Sequence, residues 1–204
     1  MALTPSTTDI DICARALVLV GANPISSFSD GTTEALIASN TYEDTMRSDL
    51  TMCRWRFATG QKQLSRLADA PLGRFDAAYQ VPSDALIINA ITVADNLVLY
   101  DRYEDMLYLN ATANDVVICD YTFRADESNW PPYFTLLAQF HMASIFAAGL
   151  ARNDGMQNSF LQQYAAQLRM AKSLDAQAQS ARKLVTNRFR KARNAVGTSS
   201  FRTS

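Results

Sequence analysis

Histidine occurs only once in this chain of 204 residues, as His141, and glycine only seven times. A zinc site with two histidine ligands is therefore excluded by number. His141 lies inside an apolar stretch, where we expect a core histidine with one hydrogen bond rather than the base of a catalytic triad. The chain has no glycine-rich loop followed by a lysine, which is the pattern that binds the phosphates of nucleotides. We expect no metal, no nucleotide or other cofactor, and no enzymatic activity.

Adjacent carboxylates are the one feature that leaves a catalytic alternative open, a small wall-degrading hydrolase. They occur as Glu43 with Asp44 and as Glu104 with Asp105. Neighbouring helix positions do not face each other, and the second pair falls in a predicted turn. We therefore expect both pairs to be solvated surface residues.

Cysteine is scarce, and long uninterrupted apolar runs are missing. Three cysteines at positions 13, 53 and 119 are odd in number and far apart, which indicates free, mostly buried thiols and a reducing cytoplasm. The polar start of the chain does not resemble a secretion signal. Polar residues interrupt the apolar segment 133–151, so we expect a buried helix there and no membrane span.

The composition, 48% hydrophobic and 19% charged, predicts one domain over residues 1–184 with a sizeable core. The net charge of −1 conceals an asymmetry, because no acidic residue follows Asp175. Seven of the 19 basic residues follow it: Arg182, Lys183, Arg188, Arg190, Lys191, Arg193 and Arg202. Residues 1–180 carry a net charge of −8. The sequence thus predicts an acidic body and a basic C-terminal arm over residues 185–204.

Helical periodicity predicts four helices, at about 8–20, 32–53, 132–152 and 156–184. Ser6, Thr7 or Thr8 is the expected cap of the first helix, and Gly21 its left-handed stop. The second helix has one apolar stripe: Ala35, Ala38, Tyr42, Met46, Leu50 and Cys53. The last helix has another: Phe160, Tyr164, Leu168, Ala171 and Leu174. Asp49 is expected mostly off the second helix's stripe. The last two helices are expected to form an antiparallel hairpin.

Between the helices, residues 80–124 change to an alternating pattern rich in branched and aromatic side chains. Short runs at 86–93, 97–100, 106–109 and 116–123 predict a small antiparallel meander. Trp55 and Phe57, two residues apart, predict an extended segment at the edge of a core. The predicted fold class is α+β, mainly helical: a helical bundle with an inserted β meander and an extended C-terminal arm.

A set of residues recurs in an order and spacing that matches a known family over about residues 8–175. The set is Arg15, Leu17, Gly21, Pro24, Tyr42, Trp55 and Phe57, followed by Pro82 before the β-rich insert and Pro132 where helix resumes. In this respect the chain resembles phage head-to-tail adaptors of the tail tubular protein A family from short-tailed double-stranded DNA phages. Similar adaptors occur in long-tailed phages and gene transfer agents.

This resemblance implies a structural virion protein, located at the head–tail junction and assembled in the cytoplasm of a host bacterium. Twelve copies would form a closed ring under the portal protein, extend the DNA channel, and attach a tail nozzle or tail completion protein. Double-stranded DNA would pass without specific binding, and no membrane is involved. The basic arm, with Phe189 and Phe201 among its charges, would dock on the portal. The β-rich insert would contact tail components or neighbouring subunits.

A DNA-binding accessory protein is the main alternative. The arm segment 188–193 alternates cations with Phe189, a pattern that neutralises phosphates while an aromatic ring stacks on a base. The acidic body favours the adaptor, because a net charge of −8 over residues 1–180 repels phosphate.

Overall fold

The protein, described by a computed structural model over residues 7–68 and 73–178, has an α+β fold. Its helices are α1 (Asp9–Val20), α2 (Thr33–Thr51), α3 (Pro132–Gly149) and α4 (Asp154–Gln177). Its strands are β1 (Thr59–Gln63), β2 (Ala77–Gln80), β3 (Ala85–Val93), β4 (Asn96–Leu97), β5 (Tyr100–Tyr103), β6 (Met106–Leu109) and β7 (Val117–Phe123).

The ends of α1 follow directly from local sequence. Thr8 and Asp11 form a reciprocal capping box, in which the Thr8 hydroxyl accepts the N–H of Asp11 and the Asp11 carboxylate accepts the N–H of Thr8. Gly21 ends the helix at φ +79°, and its N–H donates to the carbonyls of Leu17 and Val18. Both the predicted cap and the predicted stop are confirmed.

The other helices differ from prediction mainly at their ends. α2 stops at Thr51 rather than 53, and α3 at Gly149 rather than 152, where the chain turns through Arg152 at φ +47°. α4 starts two residues early because the Asn153 side chain accepts the N–H of Met156. The predicted last turn of α4, from residue 179 to 184, lies outside the described residues.

The strands divide between two antiparallel sheets, so the prediction of a single meander is wrong. The first sheet has the order β1-β7-β3-β4 and the second the order β2-β6-β5. β7 pairs with β3 and β1 instead of its neighbour β6, and β1 and the start of β2 lie before the predicted insert. Alternation fixes which side chains face inward but does not select the partner strand.

Each half of the fold has its own apolar core. α3 contacts all three other helices, which explains why its sequence is apolar on nearly every side. The two sheets enclose a second core that includes Tyr79, Ile91, Leu107 and Cys119. The partly buried ring of Phe123 packs against both cores and therefore joins the two halves.

Burial confirms one predicted stripe and corrects another. Of the six positions in the stripe predicted for the second helix, the five within α2 are buried, and Cys53, just beyond its end, is partly buried. On α4, Leu168 is only partly buried and Leu174 is exposed, whereas Gln167 and Asp175 are buried. Tertiary hydrogen bonds to these two polar side chains rotate the buried face of α4.

The three cysteines have no disulfide partner, as predicted. Cys13 and Cys119 are buried and Cys53 is partly buried. Burial raises the pKa of Cys13 to about 12 and that of Cys119 to about 11, which keeps both thiols protonated near neutral pH.

Candidate interaction surfaces

The residues that carry the family resemblance belong mostly to the interior. Leu17, Tyr42, Trp55 and Pro82 are buried and Phe57 is partly buried. Arg15 is exposed in the middle of α1, and Gly21, Pro24 and Pro132 are exposed at helix ends and in loops. All of these positions except Arg15 lie in the core, at helix ends or in loops, where they support the fold.

Phe57 lies in a 3₁₀ turn, Arg56–Ala58, and Trp55 is the residue just before that turn. The prediction of an extended segment here is therefore wrong. Both rings meet Phe134 of α3, with centroids 5.1 and 4.8 Å away, and Trp130 contacts Phe134 from another side at 4.8 Å. The turn thus brings the rings of Trp55 and Phe57 within 6.1 Å of each other and places both against Phe134.

A buried polar network on α2, α3 and α4 adjoins this aromatic cluster through Trp55. The Asp49 carboxylate is fully buried, accepts the Tyr164 hydroxyl at 2.8 Å, and lies 3.0 Å from Nδ1 of His141. The indole N–H of Trp55 donates to the Asp49 carbonyl at 2.9 Å. Contrary to the predicted position off the stripe, Asp49 is the polar centre of the helical half.

The pair of Asp49 and His141 has the form of a carboxylate that orients an imidazole. In the described residues, however, no hydroxyl or thiol bonds to the His141 ring, and the nearby Ser144 hydroxyl donates to the His141 carbonyl. The ring packs on Tyr164 at 4.3 Å. Burial and the Asp49 carboxylate raise the pKa of Tyr164, so its hydroxyl stays a donor. This arrangement locks three helices together.

A second network connects α2 with the segment after β7. The Arg124 guanidinium bonds to the carboxylates of Glu43 and Glu127 and lies 5.4 Å from the Trp130 ring centroid. The Tyr42 hydroxyl donates to Glu127 at 2.9 Å. Of the adjacent carboxylates Glu43 and Asp44, Glu43 is thus held in ion pairs.

Asp175 fixes the end of α4 against the start of the first sheet. Its buried carboxylate accepts the Tyr133 hydroxyl at 2.8 Å and the backbone N–H of Arg56 at 3.3 Å. Burial, followed by the hydrogen bond to Asp175, raises the pKa of Tyr133. The only sequence signal for this role is the spacing of Asp175, four residues after Ala171 in the predicted apolar stripe.

Two exposed surfaces stand out from the rest. We call the first the leucine corner: Leu97 and Leu99, which are 77% and 92% exposed, with the neighbouring carboxylates of Asp95 and Asp101. We call the second the basic flank: exposed Met52, Arg56, Arg169 and Lys172. Neither surface was identified from the sequence, because exposure of these positions depends on strand pairing and on the rotation of α4.

A polar cleft of about 510 Å³ opens between the ends of β1 and β2 and the β5–β6 turn. Its charged lining consists of Lys62, Arg102 and Asp105. The Asp105 carbonyl accepts the N–H of Val81 and the amide of Gln80, and Arg102 donates to the Glu104 carbonyl. These bonds hold the β5–β6 turn against the end of β2.

The residues predicted to dock on the portal, from Arg182 to Arg202, lie outside the described residues. Over the described ranges, no group of three His, Cys, Asp or Glu side chains is arranged to hold a metal ion. None of the described helices is both long and apolar enough to cross a membrane.

No family model matches this chain, and no curated protein matches it significantly.

Proposed function

We propose that this protein is a head-to-tail adaptor of a bacteriophage, one subunit of a ring between the portal and the tail. The order and spacing of the residues from Arg15 to Phe57, with Pro82 and Pro132, carry this proposal. Its support is that several of these residues, among them Leu17, Tyr42 and Trp55, belong to one helical core.

The proposed role is geometric and requires no catalysis. Identical subunits repeat head to tail, each placing one flank against a different flank of its neighbour, until the rotation closes a ring. Twelve copies would match the portal. The bundle of α1 to α4 would form the wall of the ring, and the β-rich half the platform for tail components. The ring would sit at the head–tail junction and continue the DNA channel.

DNA passes through such a ring without a specific site, and the charge of the body fits that requirement. Residues 1–180 carry 12 basic and 20 acidic residues, so phosphates are repelled on average. The basic residues after position 180 would instead contact acidic portal surface. Because each arm repeats around the ring, weak contacts combine into high avidity.

Cryo-electron microscopy of the purified protein mixed with portal rings tests this role. The comparison is between the full chain and a chain truncated after Leu184. We expect a closed ring stacked on the portal for the full chain, and loss or loosening of the stack on truncation. If the full chain does not bind portal rings at any protein concentration tested, the proposal is wrong.

The basic arm also favours a second function, that of a DNA-binding accessory protein. Six cations between residues 182 and 193 would neutralise several phosphates, so binding would weaken steeply with salt. Fluorescence anisotropy with duplex DNA at 50 and 200 mM salt measures this. Salt-dependent binding that disappears on deletion of residues 182–204, together with no portal binding, would favour the second function.

A further inference from the structure

The leucine corner lies at one edge of the first sheet, and Arg56 of the basic flank lies next to the strand at the other edge. In the order β1-β7-β3-β4, β1 and β4 are the two edges, separated by three strand spacings or about 14 Å. Leu97 is in β4, and Leu99 follows in the connection to β5. Arg56 comes just before β1 on the other side. A surface at each edge is what a head-to-tail repeat requires.

The basic flank is continuous because Asp175 ties α4 to the start of β1. Asp175 accepts the N–H of Arg56, and Lys172 and Arg169 lie one and two turns earlier on the same helix. Met52 joins this surface through Tyr164, whose hydroxyl lies 3.1 Å from the Met52 sulfur. Lys172 is also close enough to Cys53 to lower its pKa, against the stronger effect of burial, which raises it.

The cations of this flank have no carboxylate partner among the described residues. Arg56, Arg169 and Lys172 form no ion pair there, and Asp175, whose carboxylate accepts the Arg56 backbone N–H, is only 4% exposed. The flank therefore presents positive charge around an apolar Met52 side chain that is 46% exposed.

The leucine corner has the complementary character. Its two leucines are the most exposed large hydrophobic residues in the described ranges, and large apolar side chains in this state indicate a contact surface. Asp95 lies in the β3–β4 turn and has no ion-pair partner in the described residues. The one ion pair that Asp101 forms within the described ranges is a long, solvent-exposed contact with Arg74 at 3.8 Å.

We propose that the leucine corner of one copy docks on the basic flank of the next copy, with Leu97 and Leu99 near Met52 and the carboxylates near Arg169 and Lys172. This contact rests on the proposed ring. It is heterologous, because two different surfaces of the same chain meet, and it uses charge complementarity to fix the direction of assembly.

Side chains rather than sheet extension mediate this contact. β4 is only two residues long, and β1 carries the exposed Lys62. Short edges and edge lysines oppose strand pairing between molecules.

Charge reversal with rescue tests the pairing. Asp95→Lys with Asp101→Lys reverses the corner, and Arg169→Glu with Lys172→Glu reverses the flank. Each double variant places like charges together, so we expect roughly tenfold or greater weakening of self-association by analytical ultracentrifugation. The chain with all four changes restores opposite charges and is expected to recover rings. Asp44→Lys and Arg152→Glu, exposed and outside both surfaces, are the controls.

Cross-linking gives a second measurement that does not depend on affinity. Leu99→Cys, treated with a short bismaleimide, is expected to link to the partly buried Cys53 of the next copy and give a ladder of dimers, trimers and larger species. Cys53→Ala in the same chain is expected to abolish that ladder.

The outcomes separate this contact from the adaptor role. Rings that survive both reversals and show no Leu99→Cys cross-link to Cys53 overturn the contact and leave the proposed function intact. If both double variants weaken assembly but the fourfold variant does not recover it, the charge pairing is also wrong. A native chain that forms no ring with or without portal overturns both proposals.

Discussion

Removing one hydroxyl from the Asp49 network should measurably destabilise the protein. Tyr164→Phe keeps the ring but removes the 2.8 Å hydrogen bond to a fully buried carboxylate. Hydrogen bonds to charged groups contribute about 1.5–3 kcal/mol. Among the described residues, the Asp49 carboxylate then keeps only His141 as a side-chain partner within hydrogen-bonding distance. We therefore expect a loss of about 2 kcal/mol in the free energy of unfolding. For a chain of this size, Tm should fall by roughly 4–8 °C.

Urea denaturation at pH 7 measures this loss, with Tyr103→Phe as the matched control. Tyr103 is 54% exposed and its hydroxyl has no hydrogen-bond partner in the described residues, so its loss should cost less than about 0.5 kcal/mol. Asp49→Asn then tests the partner. In that background Tyr164→Phe should cost about 1 kcal/mol less than in the native chain. If Tyr164→Phe behaves like Tyr103→Phe, the network does not lock the helices.

Three further expectations concern the helix stop, the thiols and the tyrosines. Gly21→Ala places a side chain at φ +79° and should cost about 1 kcal/mol in thermal melts, whereas Gly73→Ala, which has neither positive φ nor a close neighbour, should cost much less. Mass spectrometry after limited alkylation at pH 8 should find Cys53 modified well before Cys13, since Cys13 is buried with a pKa of about 12; equal rates would contradict this burial. The pKa of Tyr164 is raised in the folded state, so its contribution to stability is complete below the ordinary tyrosine pKa of 10.0 and is lost as pH rises above it. Denaturation from pH 9 to 11 should show this fall, and Tyr164→Phe should reduce it; an unchanged fall in the variant would refute the assignment.

The sequence predicted correctly those features that depend on one helix or on a few neighbouring residues. Thr8 and Gly21 fixed both ends of α1, because capping and left-handed stops involve only neighbouring atoms. The 3.6-residue period identified the buried face of α2, and the odd, dispersed cysteines indicated free thiols. The predicted C-terminal ends of α2 and α3 and the predicted start of α4 were off by two or three residues, because helix ends fray and the apolar period does not define the terminal residue.

The sequence by itself determined the α+β class, the four helices and the presence of short strands between them. Only the tertiary structure decided that β7 pairs with β1 and β3, that Asp49 lies buried with His141 and Tyr164, and that Asp175 anchors α4 beside Arg56. Periodicity predicts which side of a helix or strand is buried, but strand pairing and the burial of polar side chains depend on groups far apart in the chain. The leucine corner and the basic flank exist as surfaces for the same reason.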